Sequence, residues 1–251
     1  MKIDLQIHSV YSSQALYKNT FHKYQYLLDS TMEIKKIFKV AKAAGLGAIS
    51  ITDHGETRAV DFINKNKINA PISVSGVEIK TNLGEILVYG DIKKIDLSDS
   101  NYFKIVRQAK KEGCFIIIPH PFLENPFGYN GLFCKKNLEN KKVLEEALSF
   151  ANAMEVYYLR TGIEDKLIDL AKKHSLVPIA TSDSHYYSQI GKVYTEIPDS
   201  NSEEEVLQNL KQGKILSLRG TPTLFELKTL LNAFKGQTID RFKKYQEFEM
   251  L

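Results

Sequence analysis

Short apolar runs alternate with helical patterns from one end of the chain to the other, and this alternation constrains the fold more than any other feature. It is the pattern of parallel strands joined by crossover helices, so the chain reads as α/β. Candidate strands fall at 3–7, 47–51, 72–77, 85–89, 115–118, 153–158, 177–180 and 215–218. Between them, helical spacing is readable at 30–44, 102–112, 138–150, 163–174, 202–212 and 223–234. About seven β/α units follow from this count. One segment breaks the rhythm: 84–90 follows the third strand after only a short Asn82-Leu83-Gly84 turn, which predicts an antiparallel hairpin.

The first helix carries the clearest start signal. Ser30 and Glu33 have the spacing of a capping box, apolar residues recur at Ile34, Ile37, Phe38, Ala41 and Ala44, and Gly45 supplies the stop. Its other side bears Lys35, Lys36, Lys39 and Lys42, a stripe whose plainer reading is a solvated outer face.

A chain of 251 residues, 43% of them hydrophobic, can bury one sizeable core. The expected organisation is a single barrel over 1–218, with 219–251 a helical C-terminal extension and not an independent domain. The balance of 34 Lys+Arg against 30 Asp+Glu is too even to indicate nucleic acid by itself. Cys114 and Cys134 fit neither a disulfide framework nor a zinc ribbon. With no leader-like segment and no apolar stretch of about 20 residues, the expectation is a cytoplasmic protein without a membrane partner.

The chemistry lies in what ends each strand. His8 follows the first, Asp53 and His54 the second, Glu78 the third and His120 the 115–118 strand; Glu155 lies within the next, and Asp183 and His185 follow 177–180. In a barrel of parallel strands all C-terminal ends lie on one face, so residues distant in sequence converge there. Imidazole nitrogen and carboxylate oxygen together suit zinc, manganese or iron, and a carboxylate such as Glu78 can bridge two ions. A lone histidine such as His22 or His174 means little; six such positions in barrel order mean more.

These residues resemble the polymerase and histidinol phosphatase (PHP) family. The resemblance runs through Asp4-Leu-Gln-Ile-His-Ser9, Ile51-Thr-Asp-His54, Gly76-Val-Glu-Ile79, Pro119-His-Pro-Phe122, Met154-Glu-Val-Tyr157 and Thr181-Ser-Asp-Ser-His185, covering roughly residues 1–200, and the stretch 190–197 is similar to family members with a short C-terminal associated region. It implies a distorted (β/α)7 TIM-like barrel and metal-dependent phosphate-ester hydrolysis by ion-activated water. Carried over by position, His8, His54, Glu78, His120, Asp183 and His185 are the implied metal ligands, and Gln6 and Glu155 are ligands or supports of ligands. Two divalent ions are implied (Zn, Mn or Fe), within a range of one to three. Asp53 and Arg160 are the catalytic candidates beside the ions, and Arg58 and Lys80 the substrate-binding cations.

The match departs from the family at its opening, where His-x-His becomes Gln6-Ile-His8. A neutral amide oxygen is a weaker ligand than imidazole for these metals. The window where relatives with a third ion carry an acid holds Ser13, Gln14 and Ala15, so a site for three ions is not expected. The partner implied is a phosphorylated small molecule or nucleotide, with nucleic acid as the wider class; no oligomeric state is implied. The competing reading is a degenerate barrel without catalysis, serving as a structural or partner-binding module. An amidohydrolase-type barrel ranks third, since the third strand reads Gly76-Val77-Glu78 where that family places a lysine. The aromatic-rich loop 119–136 reads as a lid or as a segment packed over the barrel mouth.

Overall fold

The computed structural model describes residues 1–12, 29–123, 131–158, 162–163 and 165–220. The expected helix at 223–234 and nearly all of the expected C-terminal extension lie outside these residues, as do Arg160, His22 and residues 124–130 of the aromatic loop.

Two five-stranded mixed sheets form the body. The first takes the order β12-β11-β1-β2-β3, from β1 (Lys2–Ile7), β2 (Leu46–Ile51), β3 (Ile72–Ser73), β11 (Val193–Glu196) and β12 (Ser217–Gly220). The second takes the order β10-β7-β6-β5-β4, from β4 (Gly76–Thr81), β5 (Gly84–Tyr89), β6 (Phe115–Ile118), β7 (Ala153–Glu155) and β10 (Val177–Ile179). A short β8 (Tyr157–Tyr158) pairs with β9 (Gly162–Ile163) beside them.

The α/β fold is as expected, but its strands form two sheets that meet at isolated parallel bridges, Ile7 to Ser184 and His54 to Glu78, and not one closed ring of pairing among the described residues. The physical cause lies in the third expected strand. Only Ile72 and Ser73 pair with β2. The chain then turns into a hairpin whose register runs from Gly76 opposite Tyr89 to Thr81 opposite Gly84, and this antiparallel pairing carries β4 into the second sheet. The hairpin itself is as the short turn predicted.

The described α-helices are α1 (Ile34–Ala43), α2 (Arg58–Lys65), α3 (Tyr102–Lys111), α4 (Lys135–Leu138), α5 (Lys141–Phe150), α6 (Asp165–Lys173) and α7 (Glu203–Lys211). α1 buries Ile34, Ile37, Phe38 and Ala41 against Ile49 and Ile51 of β2 and leaves its four lysines in solvent. The capping box does not form. Glu33 occupies the cap position without a side-chain capping bond, and the Ser30 hydroxyl donates to the His8 carbonyl at 2.7 Å.

β5 and β6 are buried on both faces. Ile86, Val88, Ile116 and Ile118 join the outer cluster with α3 and α5. Leu87, Tyr89, Phe115 and Ile117 fill the interior with Ile3 and Leu5 of β1 and with Val206 and Leu210 of α7. α7 thus packs with the starts of β1 and β6, leaving the opposite ends of those strands to carry His8 and His120. The described residues include no helix long and apolar enough to cross a membrane.

Candidate metal centre

His8, immediately beyond β1, sits at the middle of a cluster on the seam between the sheets. Its Nε2 lies 3.0 Å from Asp183 Oδ1 and 3.1 Å from Glu78 Oε2, and its Nδ1 lies 3.1 Å from Ser12 Oγ. The ring stacks on His54 and His185, with centroids 4.5 and 4.3 Å apart. His54 Nδ1 is 3.4 Å from Glu78 Oε2, and His120 Nε2 is 3.1 Å from Glu78 Oε1, so one β4 carboxylate meets three imidazoles. His185 Nε2 lies 3.0 Å from Asp29 Oδ1, while its Nδ1 lies 2.9 Å from the Asp183 carbonyl.

The structure thus brings His8, His54, Glu78, His120, Asp183 and His185 together. It adds two acids that sequence reading passed over. Glu85, the second residue of β5, is buried, its carboxylate 3.7 Å from His54 Nδ1 and 3.6 Å from His120 Nε2. The hairpin register places it beside β4, a signal available from the short turn. Asp29, also buried, arrives from the segment before α1 and approaches His185. No local spacing announces it, yet it supplies an acid beside His8, His54 and His185 where the 13–15 window has none.

Other expected residues take different places. Asp53 accepts from the Ser9 amide at 2.6 Å and the Ser9 hydroxyl at 2.7 Å, fixing the turn that follows His8. Glu155 accepts from the His120 amide through Oε2 and from Thr181 Oγ1 through Oε1. It thereby braces a residue whose φ is +26°, a left-handed backbone that an imidazole-bearing residue seldom adopts unless its surroundings hold it. Asp183 has φ +47°. Arg58 pairs with Glu56 at 2.7 Å and lies over the Tyr11 ring, and Lys80 is exposed on β4 two residues beyond Glu78. Of the aromatic loop, Phe122 stacks on Phe133 at 5.1 Å.

Electrostatics separate these groups. Burial alone would lower the His120 pKa, but hydrogen bonding to Glu78 and the charge of Glu85 outweigh it and lift the imidazole to about 10. The same contest, won by Asp183 and Glu78, holds His8 well above its ordinary value. Burial raises Glu85 to about 8, helped by the neighbouring Glu78 charge. Glu78 goes the other way: burial opposes ionisation, but His54, His120 and His8 bring it down to about 2.

The donor set suits divalent metal. Ligand atoms of His8, Asp29, His54 and His185 lie within 4.8 Å of one another, as do those of His8, Glu78 and Asp183, and those of His54, Glu78 and Glu85. Each group mixes imidazole nitrogen with carboxylate oxygen, the set expected for zinc, manganese or iron. Glu85 Oε1 is buried without a hydrogen-bond partner among the described residues, a lone pair that a cation would satisfy.

A family model described as PHP-associated matches residues 165–215. An uncharacterized protein of Methanocaldococcus jannaschii is 34% identical over 128 residues, which cover 49% of this chain and 68% of that relative. A two-domain protein of Bacteroides vulgatus, containing a predicted PHP-like metal-dependent phosphoesterase, superposes with a TM-score of 0.62 at 19% identity, over 86% of this chain and 63% of that one. Endonuclease Q, in complex with a duplex substrate bearing an abasic lesion at the active site, superposes with a TM-score of 0.58 at 17% identity, over 84% of this chain and 56% of that one. The chain spans less than two thirds of the length of either structure, and at these identities the likeness is one of fold.

Proposed function

The chain belongs to the polymerase and histidinol phosphatase (PHP) family, and from that premise we propose that it is a hydrolase cleaving a phosphate ester with two divalent ions held on the seam between its sheets. The observation that carries this reading is the convergence of His8, His54 and His185 with Asp29, Glu78, Glu85 and Asp183 into overlapping groups of ligand atoms within 4.8 Å, with His120 3.1 Å from Glu78 beside them. His8, Asp29, His54 and His185 would hold one ion. Glu78, Glu85 and His120 would hold the other, with Glu78 reaching both and Asp183 completing the set beside His8. When bound, such ions supply Lewis acidity towards a phosphoryl oxygen and towards the attacking water.

The chain's own residues position and exclude. Glu155 holds the His120 backbone, and Asp53 holds the turn after His8. Lys80 and Arg58 are the cations proposed to meet the ester's remaining charge. Nucleotides or short nucleic acids are the proposed substrate class, with a small metabolite phosphate next; the likeness to Endonuclease Q points the same way at the level of fold only. Arg160, a further proposed cation, lies outside the described residues.

A barrel without chemistry would have to keep Glu78, Glu85 and Asp29 buried among imidazoles, a desolvated cluster that costs on the order of several kcal/mol and contributes nothing to packing. The deciding experiment is elemental metal analysis with phosphate release from a nucleotide panel and p-nitrophenyl phosphate, on wild type, His120→Ala and Asp183→Ala. About one to three equivalents of metal, with turnover lost in both variants, is the expected result. Folded wild type that stays metal-free and inactive after Mn, Zn or Fe is supplied would sink the reading.

A further inference from the structure

Gln6 stands where the site's carboxylates converge. Its Nε2 donates to Glu78 Oε1 and to Asp183 Oδ1, both at 3.2 Å, and its Oε1 lies 3.0 Å from Thr181 Oγ1. Gln6 and Thr181 are both fully buried, so neither can exchange these partners for bulk water. Thr181 Oγ1 is also 2.8 Å from Glu155 Oε1.

A hydroxyl has one proton and cannot donate to both neighbours. When Glu155 is ionised its carboxylate is the stronger acceptor, which leaves the Oγ1 lone pairs facing the amide, where a donor fits better than a carbonyl. Turning the amide over about its last torsion would supply that donor, giving an unbroken run from Gln6 Nε2 to Thr181 and from Thr181 to Glu155. One thing opposes the turn. Gln6 Oε1 would then stand where Nε2 now stands, 3.2 Å from two carboxylate oxygens. Three acceptors converge there only around a cation.

We propose that Gln6 is a cation-dependent ligand: its NH2 group faces Glu78 and Asp183 in the cation-free protein, and the amide turns over when a divalent ion enters among His8, Glu78 and Asp183. The carbonyl oxygen then joins that donor set, and Nε2 passes to Thr181. Thr181 is a positioning residue, touching no ion and receiving the amide only in its turned state. Amide oxygen suits Mn2+ better than Zn2+, and imidazole suits Zn2+. Gln6 therefore biases this subsite towards manganese. The inference rests on the phosphoesterase reading for its ions, and on the two hydrogen-bond alternatives of a single amide for everything else.

Isothermal titration of Mn2+ and of Zn2+ into the chelator-stripped full chain tests it, with wild type, Gln6→His, Gln6→Leu and Thr181→Val compared. Gln6→His is expected to shift the affinity ratio towards zinc by about tenfold or more, and Gln6→Leu to weaken Mn2+ binding at one site by about 10- to 100-fold. Thr181→Val should weaken Mn2+ binding markedly more in wild type than when added to Gln6→His, where only its bond to Glu155 is lost, a dependence that a merely structural role would not produce. Wild type that binds ions while Gln6→Leu and Thr181→Val bind Mn2+ unchanged overturns the proposal and leaves the phosphoesterase reading standing. If Gln6→Leu does not fold, Gln6→His decides alone, and an unmoved ratio overturns the proposal. Wild type that takes up neither ion overturns both.

Discussion

The Glu155 carboxylate reaches the site through the backbone of another residue. It accepts from the His120 amide and from Thr181, and the His120 imidazole then points at Glu78 from a left-handed backbone. Removing that acceptor frees the backbone to relax and draws the ring off its line. Glu155→Ala is expected to lower the affinity of the ion held by Glu78, Glu85 and His120 by about 10- to 100-fold, while Glu155→Gln, which keeps one acceptor oxygen, loses less. Metal retained after dialysis against graded chelator reads this directly; equal retention in both variants would refute it. Ionisation gives a second expectation at the same scale. In the metal-free protein His120 is lifted to about 10 and His8 is held well above its ordinary value, so both carry a proton near neutrality. A ligand imidazole must be neutral, so ion uptake has to expel these protons, and affinity should rise as the pH rises towards 10. Titration calorimetry in buffers of differing ionisation enthalpy counts them: net proton release is expected, and zero release contradicts it.

Elements were legible where hydrophobic period and turn chemistry agreed, and illegible where one side chain had two uses. The strands 115–118 and 177–180, the hairpin and the helices now seen as α1, α3, α6 and α7 follow from apolar spacing, because each buries a face against a sheet. α2 escaped notice because its buried face amounts to Ala59, Val60 and Ile63 within eight residues, too short a run to show a period. β11 lies outside the expected strands, and the strand expected at 215–218 is seen as β12, shifted to Ser217–Gly220; the two pair antiparallel, outside the β/α rhythm. Within the site, the strand-end residues were readable from order alone, whereas Asp29 becomes part of the site only by a long-range approach to His185. Ser30 shows the two-use problem most plainly, since its spacing reads as a helix cap and its hydroxyl binds the His8 carbonyl. Asn101, by contrast, is a true cap, accepting from the Lys104 amide at 3.0 Å. Asn101→Ala should therefore cost about 1 kcal/mol of stability with metal affinity unchanged. Ser30→Ala should act on metal affinity through His8 and leave the helix intact. Urea denaturation paired with metal titration separates the two; a pure stability loss in Ser30→Ala would restore the capping role.

At the scale of the molecule, the site is also a joint. His8 and His54 leave the first sheet, while Glu78, Glu85, His120, Asp183 and His185 belong to the second sheet or to the segments that follow its strands. Between the described strands of the two sheets, backbone pairing amounts to the bridges at Ile7 with Ser184 and at His54 with Glu78, both beside the ligands. Ions bound there would cross-link the sheets, and a ligand that binds only the folded chain stabilises it by mass action, by about 2.7 kcal/mol at a hundredfold excess over Kd. For a chain of this size that corresponds to a rise in Tm of roughly 5–11 °C. The gain should be unequal across the structure. Amide exchange should slow most at His8 and Ser184, whose N–H groups bond across the seam, and at Glu78 and Gly55, whose N–H groups donate to the Asp53 and Glu78 carbonyls at the other bridge. It should change little in β5 and β6, already buried on both faces by the two main clusters. Hydrogen exchange with and without Mn2+ measures this contrast. Uniform protection would mean that the ions act only through global stability; protection confined to the seam would mean that they hold the two sheets together.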